Sequence, residues 1–543
     1  MVFARRSTTL LAAIIASCAM VLSLTACTSD NKTVVDGQTT VTSNSAGGVA
    51  VFTPSDGITL NQQTPLNKWA KLVPDLAKAL ADAGFKKGDI DHTTSDSLAK
   101  QSRAIQDFVV DHLSNNTTDD SGIAIAPDNM TLLVAPVVEA DASTRQYGDY
   151  ISQNLSTNDA TDEGATSDGE SSKDDSSKDD SSNTESDSTA SDEQAQAVDR
   201  LVSSLKLAKE SGMHVVLLGN SIEGYKPDVF VKFSDAQTIG KLQAEKMVSK
   251  LKLDKASKDN PKYIEVLLPY TAVDEKGNAN DSAFAQEAFR GIWQVLGSYY
   301  QKGVVESPSG TLDGKSTEND WQAVAYDAAE EGSTAKVLDK RLAKTDGQST
   351  LTRIDGIITM NDYIASEVVK ELDDLGYTGS AADINPQITI SGIVGNITGK
   401  KDLSRDAVPD PIKSPENDNA NDSSSSDDDA DEDTSASDKD RDSQWPLVTG
   451  YGAYVSNIPS IVNGKQWMTG MEDRQTIATD IAQACAKLNK DEALNSMPSI
   501  RNSEVGGVKK IPTISEPLLA VSASNLKSAL IDPGYISLAD AGL

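Results

Sequence analysis

The chain has 543 residues, with 49 Lys and Arg against 82 Asp and Glu, a formal net charge of −33. Apolar residues make up 38% and aromatics 5%, enough for a core but lean for this length. Gripping a phosphate backbone takes clustered cations, and no basic run follows residue 6, so nucleic-acid binding is excluded.

Arg5 and Arg6 precede an apolar stretch from Leu10 to Leu24, shorter than a membrane-spanning helix needs. Leu24, Thr25, Ala26 and Cys27 close it, with polar residues from Thr28 to Lys32 beyond. That ending resembles the bacterial lipobox, in which the signal peptide is cut before the cysteine and the thiol is acylated. An ordinary secretory signal with an incidental Cys27 is the plainer alternative. The resemblance implies a signal peptide over 1–26, lipidation of Cys27, and a Thr/Ser/Asn/Gly-rich tether over 27–47. Cys485 would then be the one thiol left, so no disulfide framework is expected. It lies in the amphipathic helical pattern 477–485 and reads as a small core residue. No other segment approaches about 18 unbroken apolar residues.

Val49–Phe52 reads as a strand. Trp69, Leu72, Val73, Leu76 and Leu80 follow at helical spacing, with Gly84 as the stop. His214–Leu218 is a near-continuous apolar run of the kind buried in parallel sheets. Ala244, Met247, Val248 and Leu251 mark a helix face. A strand over Tyr263–Leu268, a helix over Phe284–Tyr299 and a strand over Gly356–Met360 come next. Ile364, Val368, Leu372 and Leu375 then form a helical stripe ended by Gly376. Strand alternating with helix over more than 400 residues predicts an α/β fold with two parallel sheets, each covered on both faces.

Two segments interrupt the pattern. Residues 159–193 carry 13 acidic and 2 basic residues, and 416–442 carry 12 and 2, together 21 of the 33 net negative charges. Almost nothing in them is apolar, so they are expected to be disordered, solvated loops. No calcium-loop spacing supports reading them as cation sites.

Catalytic signatures are missing. His92, His112 and His214 do not pair at metal-ligand spacing, Ser221 lacks the glycine of a nucleophile elbow, and Gly450-Tyr451-Gly452 lacks the rest of a dinucleotide fingerprint. No metal, cofactor or enzymatic activity is expected, and a carboxylate-dependent hydrolase has no convincing acid/base pair. What remains is polar residues following predicted strands, where open parallel sheets bind ligands. Asn220 and Ser221 follow 214–218, Asn361 and Asp362 follow 356–360, and Tyr451 follows 447–449. Amides and carboxylates there suit a polyhydroxylated ligand. Asp362 equally suits the N-cap of a helix 363–375. Trp69 could stack on a sugar or anchor its helix.

Phe230 to Asp235, running on through Ile239 to Ala244, resembles the first lobe crossover of type 1 periplasmic sugar-binding proteins, in their xylose- and multiple-monosaccharide-binding branch. Ile358 to Asp362 resembles that branch's strand ending in Asn-Asp. Ile461 to Thr469 is similar to its late helix and hinge. Ile511-Pro512 through Val521, with Asn525-Leu526 and Gly534-Tyr535, resembles its closing strand and tail. Departures accompany the likeness: Asn220-Ser221 stand where the family has Asp-Arg, Gly452 where a second ligand-binding Asp is usual, and Glu472 where a Lys closes the hinge.

The resemblance implies two Rossmann-like, flavodoxin-like lobes joined by a hinge, the type 1 periplasmic-binding-protein fold. The first lobe would span 48–233 and the second 234–464, with hinge crossing, return helix, closing strand and tail over 465–543. It implies a lipid-anchored, extracellular, monomeric substrate-binding protein that works with the permease and ATPase of an ABC-type importer. A sugar would bind between the lobes through Trp69, Asn220, Ser221, Asp235, Asn361, Asp362, Tyr451 and Glu472. The missing charged contacts support an alternative, a non-transporting sensor or surface lipoprotein with an altered or lost ligand. Strands 387–391 and 447–449 both compete for the sheet position of the family site.

Overall fold

The computed structural model describes residues 46–55, 65–115, 125–138, 144–156, 184–273, 282–343, 351–381 and 445–543. The expectations for Cys27, the signal peptide, the tether, strand 387–391 and the insert 416–442 lie outside the described residues.

The first lobe is built from β1 (Gly48–Pro54), α1 (Trp69–Asp82), β2 (Ile90–Ser95), α2 (Leu98–Asn115), β3 (Met130–Val134), the short β4 (Asn154–Leu155), α3 (Thr184–Glu210), β5 (His214–Leu218), the short β6 (Ser221–Ile222) and β7 (Val229–Lys232). The second contains α4 (Ala236–Leu251), β8 (Lys262–Val266), β9 (Leu268–Pro269), α5 (Ala283–Gln301), β10 (Val305–Glu306), α6 (Trp321–Val324), β11 (Ala325–Tyr326), α7 (Ser333–Arg341), β12 (Gly356–Ile358), α8 (Asp362–Leu375), β13 (Leu447–Thr449) and α9 (Ile458–Val462). The chain then returns through β14 (Met468–Met471), α10 (Arg474–Leu488), β15 (Ile500–Val505), β16 (Val508–Ser515) and β17 (Leu519–Ser522).

Seven strands form one sheet in the order β15-β16-β7-β5-β3-β1-β2, parallel except for the β15–β16 hairpin. Four form a parallel sheet in the order β10-β8-β12-β13. Leaving out the hairpin edge, the first sheet has the 2-1-3-4-5 order of flavodoxin-like folds, and the second begins the same way. The expected fold class, two flavodoxin-like parallel-sheet lobes, is therefore borne out. Strand β13 lies beside β12, with Gly356 opposite Leu447, so 447–449 takes the sheet position next to the strand of Asn361.

Alternation along the strands sorts the first lobe's two cores. Val49, Val51, Leu133, Val216, Leu218, Val229 and Val231 face α1 and α10, against Trp69, Leu72, Leu76, Ile477 and Ile481. Ala50, Phe52, Leu132, Val134, Val215 and Leu217 face α2 and α3, against Ile105, Val109, Leu201 and Leu205. Because both faces are covered, the strands read as apolar runs rather than as alternating ones. Cys485 is fully buried in the first of these cores, as its position implied.

One expectation needs correction. The segment 159–193 is not loop throughout, because α3 begins at Thr184 and takes in its last ten residues.

Candidate functional site

Residues just beyond β7, β13 and β14 come together where the chain crosses between the lobes. Here Ser234 is the hub. Its backbone N–H donates to Glu472 Oε1 at 2.5 Å, and its hydroxyl bonds the Tyr451 hydroxyl. The Glu472 N–H in turn donates to Asn67 Oδ1 at 3.4 Å. Burial pushes the Glu472 carboxyl up to about 7, against the opposing hydrogen bonds from Ser234 and Tyr451. Asp235, one residue on, caps α4 by accepting the Thr238 N–H at 2.7 Å and pairs with Lys232 at 2.8 Å.

Asp362 does not cap its helix. Asn361 does, its Oδ1 accepting the Ile364 N–H at 2.9 Å. Asp362 is the first helical residue and is completely buried. Its carboxylate accepts from Gln466 Nε2 at 2.7 Å, Thr469 Oγ1 at 2.8 Å and the Tyr454 N–H at 2.9 Å. Two of those donors, Gln466 and Thr469, come from the hinge region, so the carboxylate ties α8 to it. Burial raises its pKa to about 6 despite the three bonds. Gly450 is required beside it, because a Cβ there would collide with Asp362 Oδ1.

Between the lobes, where a ligand was expected, lies the chain itself. Residues 144–155, the continuation of the loop after β3, thread through the space and contact both sides. Tyr150 packs into the first lobe, stacked on Phe233 with centroids 4.8 Å apart and edge-on to Trp69 at 5.1 Å. Its hydroxyl donates to the Lys68 carbonyl at 2.5 Å. Asp149 pairs with Lys68 Nζ at 2.9 Å and accepts the Trp69 N–H at 3.1 Å. That carboxylate serves the N-terminus of α1, whose own cap residue, Lys68, makes no side-chain cap bond. Tyr147 packs into the second lobe's core, 4.7 Å from Phe284 and 6.3 Å from Tyr451. Gln146 accepts from Asn361 Nδ2 at 3.0 Å through its side chain and from the Tyr454 hydroxyl at 2.7 Å through its backbone carbonyl. Gly148 sits at φ +96°, with the Asn67 carbonyl only 2.5 Å from where a Cβ would stand.

The eight residues expected from sequence are thus placed as follows. Trp69, Asn220, Asn361 and Tyr451 border this segment directly. Asn220 accepts the Gln153 N–H at 3.0 Å and donates to the Pro136 carbonyl at 2.9 Å. Trp69 is 3% exposed, its ring flanked by Tyr150 and Phe233, so it is an anchor among aromatics. Glu472 belongs to the crossing hub, Asp362 to the hinge contacts and Asp235 to a helix cap. Ser221 lies to one side, bonded to Asn154 Oδ1 at 2.8 Å and lining a cavity of about 290 Å³ with Gln153, Gly219, Lys232 and Gly506.

Sequence reasoning missed Gln146, Tyr147, Asp149, Tyr150 and Phe233. The one available signal was the pattern Tyr147-Gly148-Asp149-Tyr150, two aromatics around a turn dipeptide in an otherwise polar stretch.

No family model matches the sequence, and no curated protein matches it. Among solved structures, the chain is similar to an ABC transporter solute-binding protein from Clostridium phytofermentans with bound β-D-glucose. The identity is 17%, with 91% of this chain and 99% of that one covered and a TM-score of 0.44. It is also similar to a carbohydrate transporter solute-binding protein from Chloroflexus aurantiacus in complex with D-glucose, at 18% identity, 92% and 98% coverage and a TM-score of 0.42. A third, a periplasmic solute-binding protein from Actinobacillus succinogenes with bound D-allose, is 10% identical, with 89% and 99% covered and a TM-score of 0.39.

Among the described residues, no helix is long and apolar enough to cross a membrane.

Proposed function

We propose that this chain is an extracellular solute-binding protein, held at the membrane through a lipid on Cys27, that presents a small polyhydroxylated molecule to an ABC-type permease and its ATPase. It acts by binding, without catalysis. The observation that carries the reading is the chemistry of what fills the interlobe space. A six-membered ring bearing a hydroxyl, that of Tyr150, lies on Phe233, with the carboxamides of Asn361 and Asn220 turned to polar groups of the same segment. A pyranose offers the same combination of ring face and hydroxyl edge. Closure then follows from contacts made by both lobes, and a ligand shifts that equilibrium only by its differential affinity for the closed form.

Calorimetric titration with pentoses, hexoses and oligosaccharides tests the assignment, on the full chain and on a Tyr150→Ala variant that vacates the ring position. Heat of binding to one member supports it. Silence across the panel in both proteins removes the sugar.

One observation favours a second reading, a non-transporting sensor or surface lipoprotein. Asp362 and Glu472, two buried carboxylates bonded to residues of the crossings, are spent on internal bonds. Genes for a permease and an ATPase beside this one support the importer; a neighbouring histidine kinase supports the sensor.

A further inference from the structure

We propose that residues 144–152 are an internal ligand, a tethered occupant that holds the two lobes closed and that a solute must displace to bind. The closure is independent of what the solute is; only the displacement step rests on the solute-binding reading above.

The segment is built as a ligand is bound. It adds no strand to either large sheet, and it touches Ser234 and Asn361, just beyond the carboxyl ends of β7 and β12, where open α/β sheets take their ligands. It gives one aromatic anchor to each lobe: Tyr150, 1% exposed, joins the first lobe's core, and Tyr147, also 1% exposed, joins the second's. Its polar groups bridge in the same way. Asp149 binds Lys68 and the first turn of α1 in one lobe, while Gln146 binds Asn361 and Tyr454 in the other. The backbone is seated too: the Asp149 N–H donates to the Asn67 carbonyl at 2.8 Å, and the Ser152 N–H to the Ser234 carbonyl at 3.4 Å. Gly148 fits against Asn67 only because it has no side chain. Opening the lobes therefore strips one anchor or the other from its core.

A covalently attached occupant competes at an effective concentration in the millimolar range. Binding by a free solute is weakened by the fraction of molecules in which the seat is empty. Unseating the segment should then raise solute affinity about tenfold or more, with no change in the residues the solute touches.

The test uses the full chain carrying Gly148→Ala together with Tyr150→Ala, and a second variant with residues 144–152 replaced by a Gly/Ser run of equal length. Circular dichroism and a cooperative melt identify which variant is folded. Small-angle X-ray scattering without ligand then reads the distance between the lobes, and calorimetry reads binding of D-glucose and D-xylose. A larger radius of gyration in a folded variant, with sugar binding tightened about tenfold or more, is the expected result. A folded variant that scatters like the parent overturns the internal ligand. Opening without sugar binding supports the internal ligand and removes the sugar reading instead.

Discussion

Asn361 and Gln146 stand 215 positions apart in sequence and meet side chain to side chain, the Asn361 amide donating to Gln146 at 3.0 Å while its oxygen caps α8. One residue thus ends a strand loop, starts a helix and holds the segment between the lobes. Asn361→Asp keeps the cap and removes the donor. In a double-mutant cycle with Gln146→Ala, the coupling should be about 0.5–1.5 kcal/mol, measured by urea denaturation. A coupling near zero would show the bond to be dispensable.

Tyr150 separates packing from hydrogen bonding. Tyr150→Phe retains the stack on Phe233 and loses the bond to Lys68, and should cost about 1 kcal/mol. Tyr150→Ala also empties the space beside Trp69, and should cost about 3 kcal/mol or more. Equal losses in the two variants would mean that the ring itself contributes little.

The Glu472 carboxyl gives the fold a pH dependence of defined sign. Its pKa is raised to about 7 in the folded chain against about 4.3 in an unfolded one, so folding takes up a proton between those values. Stability from this group is present below about pH 4 and falls as pH rises toward 7, by at most about 1.4 kcal/mol per pH unit. The melting temperature should therefore be higher at pH 5 than at pH 8. Asp235, the neighbouring charge, adds to the upward shift. Glu472→Gln keeps an acceptor for the Ser234 N–H, and should raise the pH 8 melting temperature while leaving the pH 5 value nearly unchanged. A variant that keeps the parental pH profile would assign the dependence elsewhere.

Cys485 should be inert in the native protein, because complete burial in the first lobe's core pushes its thiol far up. In a form starting at Thr28, iodoacetamide should add nothing at pH 8 until guanidinium is present, when mass spectrometry should find one adduct. Labelling of the native chain at the rate of a free thiol would place Cys485 at a mobile surface.

Much of the fold was legible because its elements are locally periodic. The runs at 49–52 and 214–218 and the stripe from Trp69 to Leu80 can each be read without knowing their neighbours. The site was far less so. Asp362 looked like a cap because a carboxylate at a helix start usually is one, but its three donors lie about 90 to 110 positions later, at Tyr454, Gln466 and Thr469. No local pattern carries such a partnership. Trp69 likewise looked free to stack on a sugar until Tyr150 and Phe233, 81 and 164 positions away, were found on either side. The segment from Gln146 to Gln153 has no periodicity, since two tyrosines anchored in different lobes follow neither a helix nor a strand.

The return of the chain to its first lobe sets the order in which this protein can be completed. Asn489 donates to the carbonyls of Ala46 and Gly48, and β16 pairs with β7 to close its side of the first sheet. The second sheet draws on one continuous stretch, 262–449, and is whole once that stretch has emerged. The first waits for Ser515, although its opening strand emerges hundreds of residues earlier. During synthesis, then, the portion of the protein that appears first is finished last, and its apolar strands have only α1, without α10, on one face through most of that interval. A chain stopped at 473 should have a sound second lobe and a first lobe that the cell must shield or degrade.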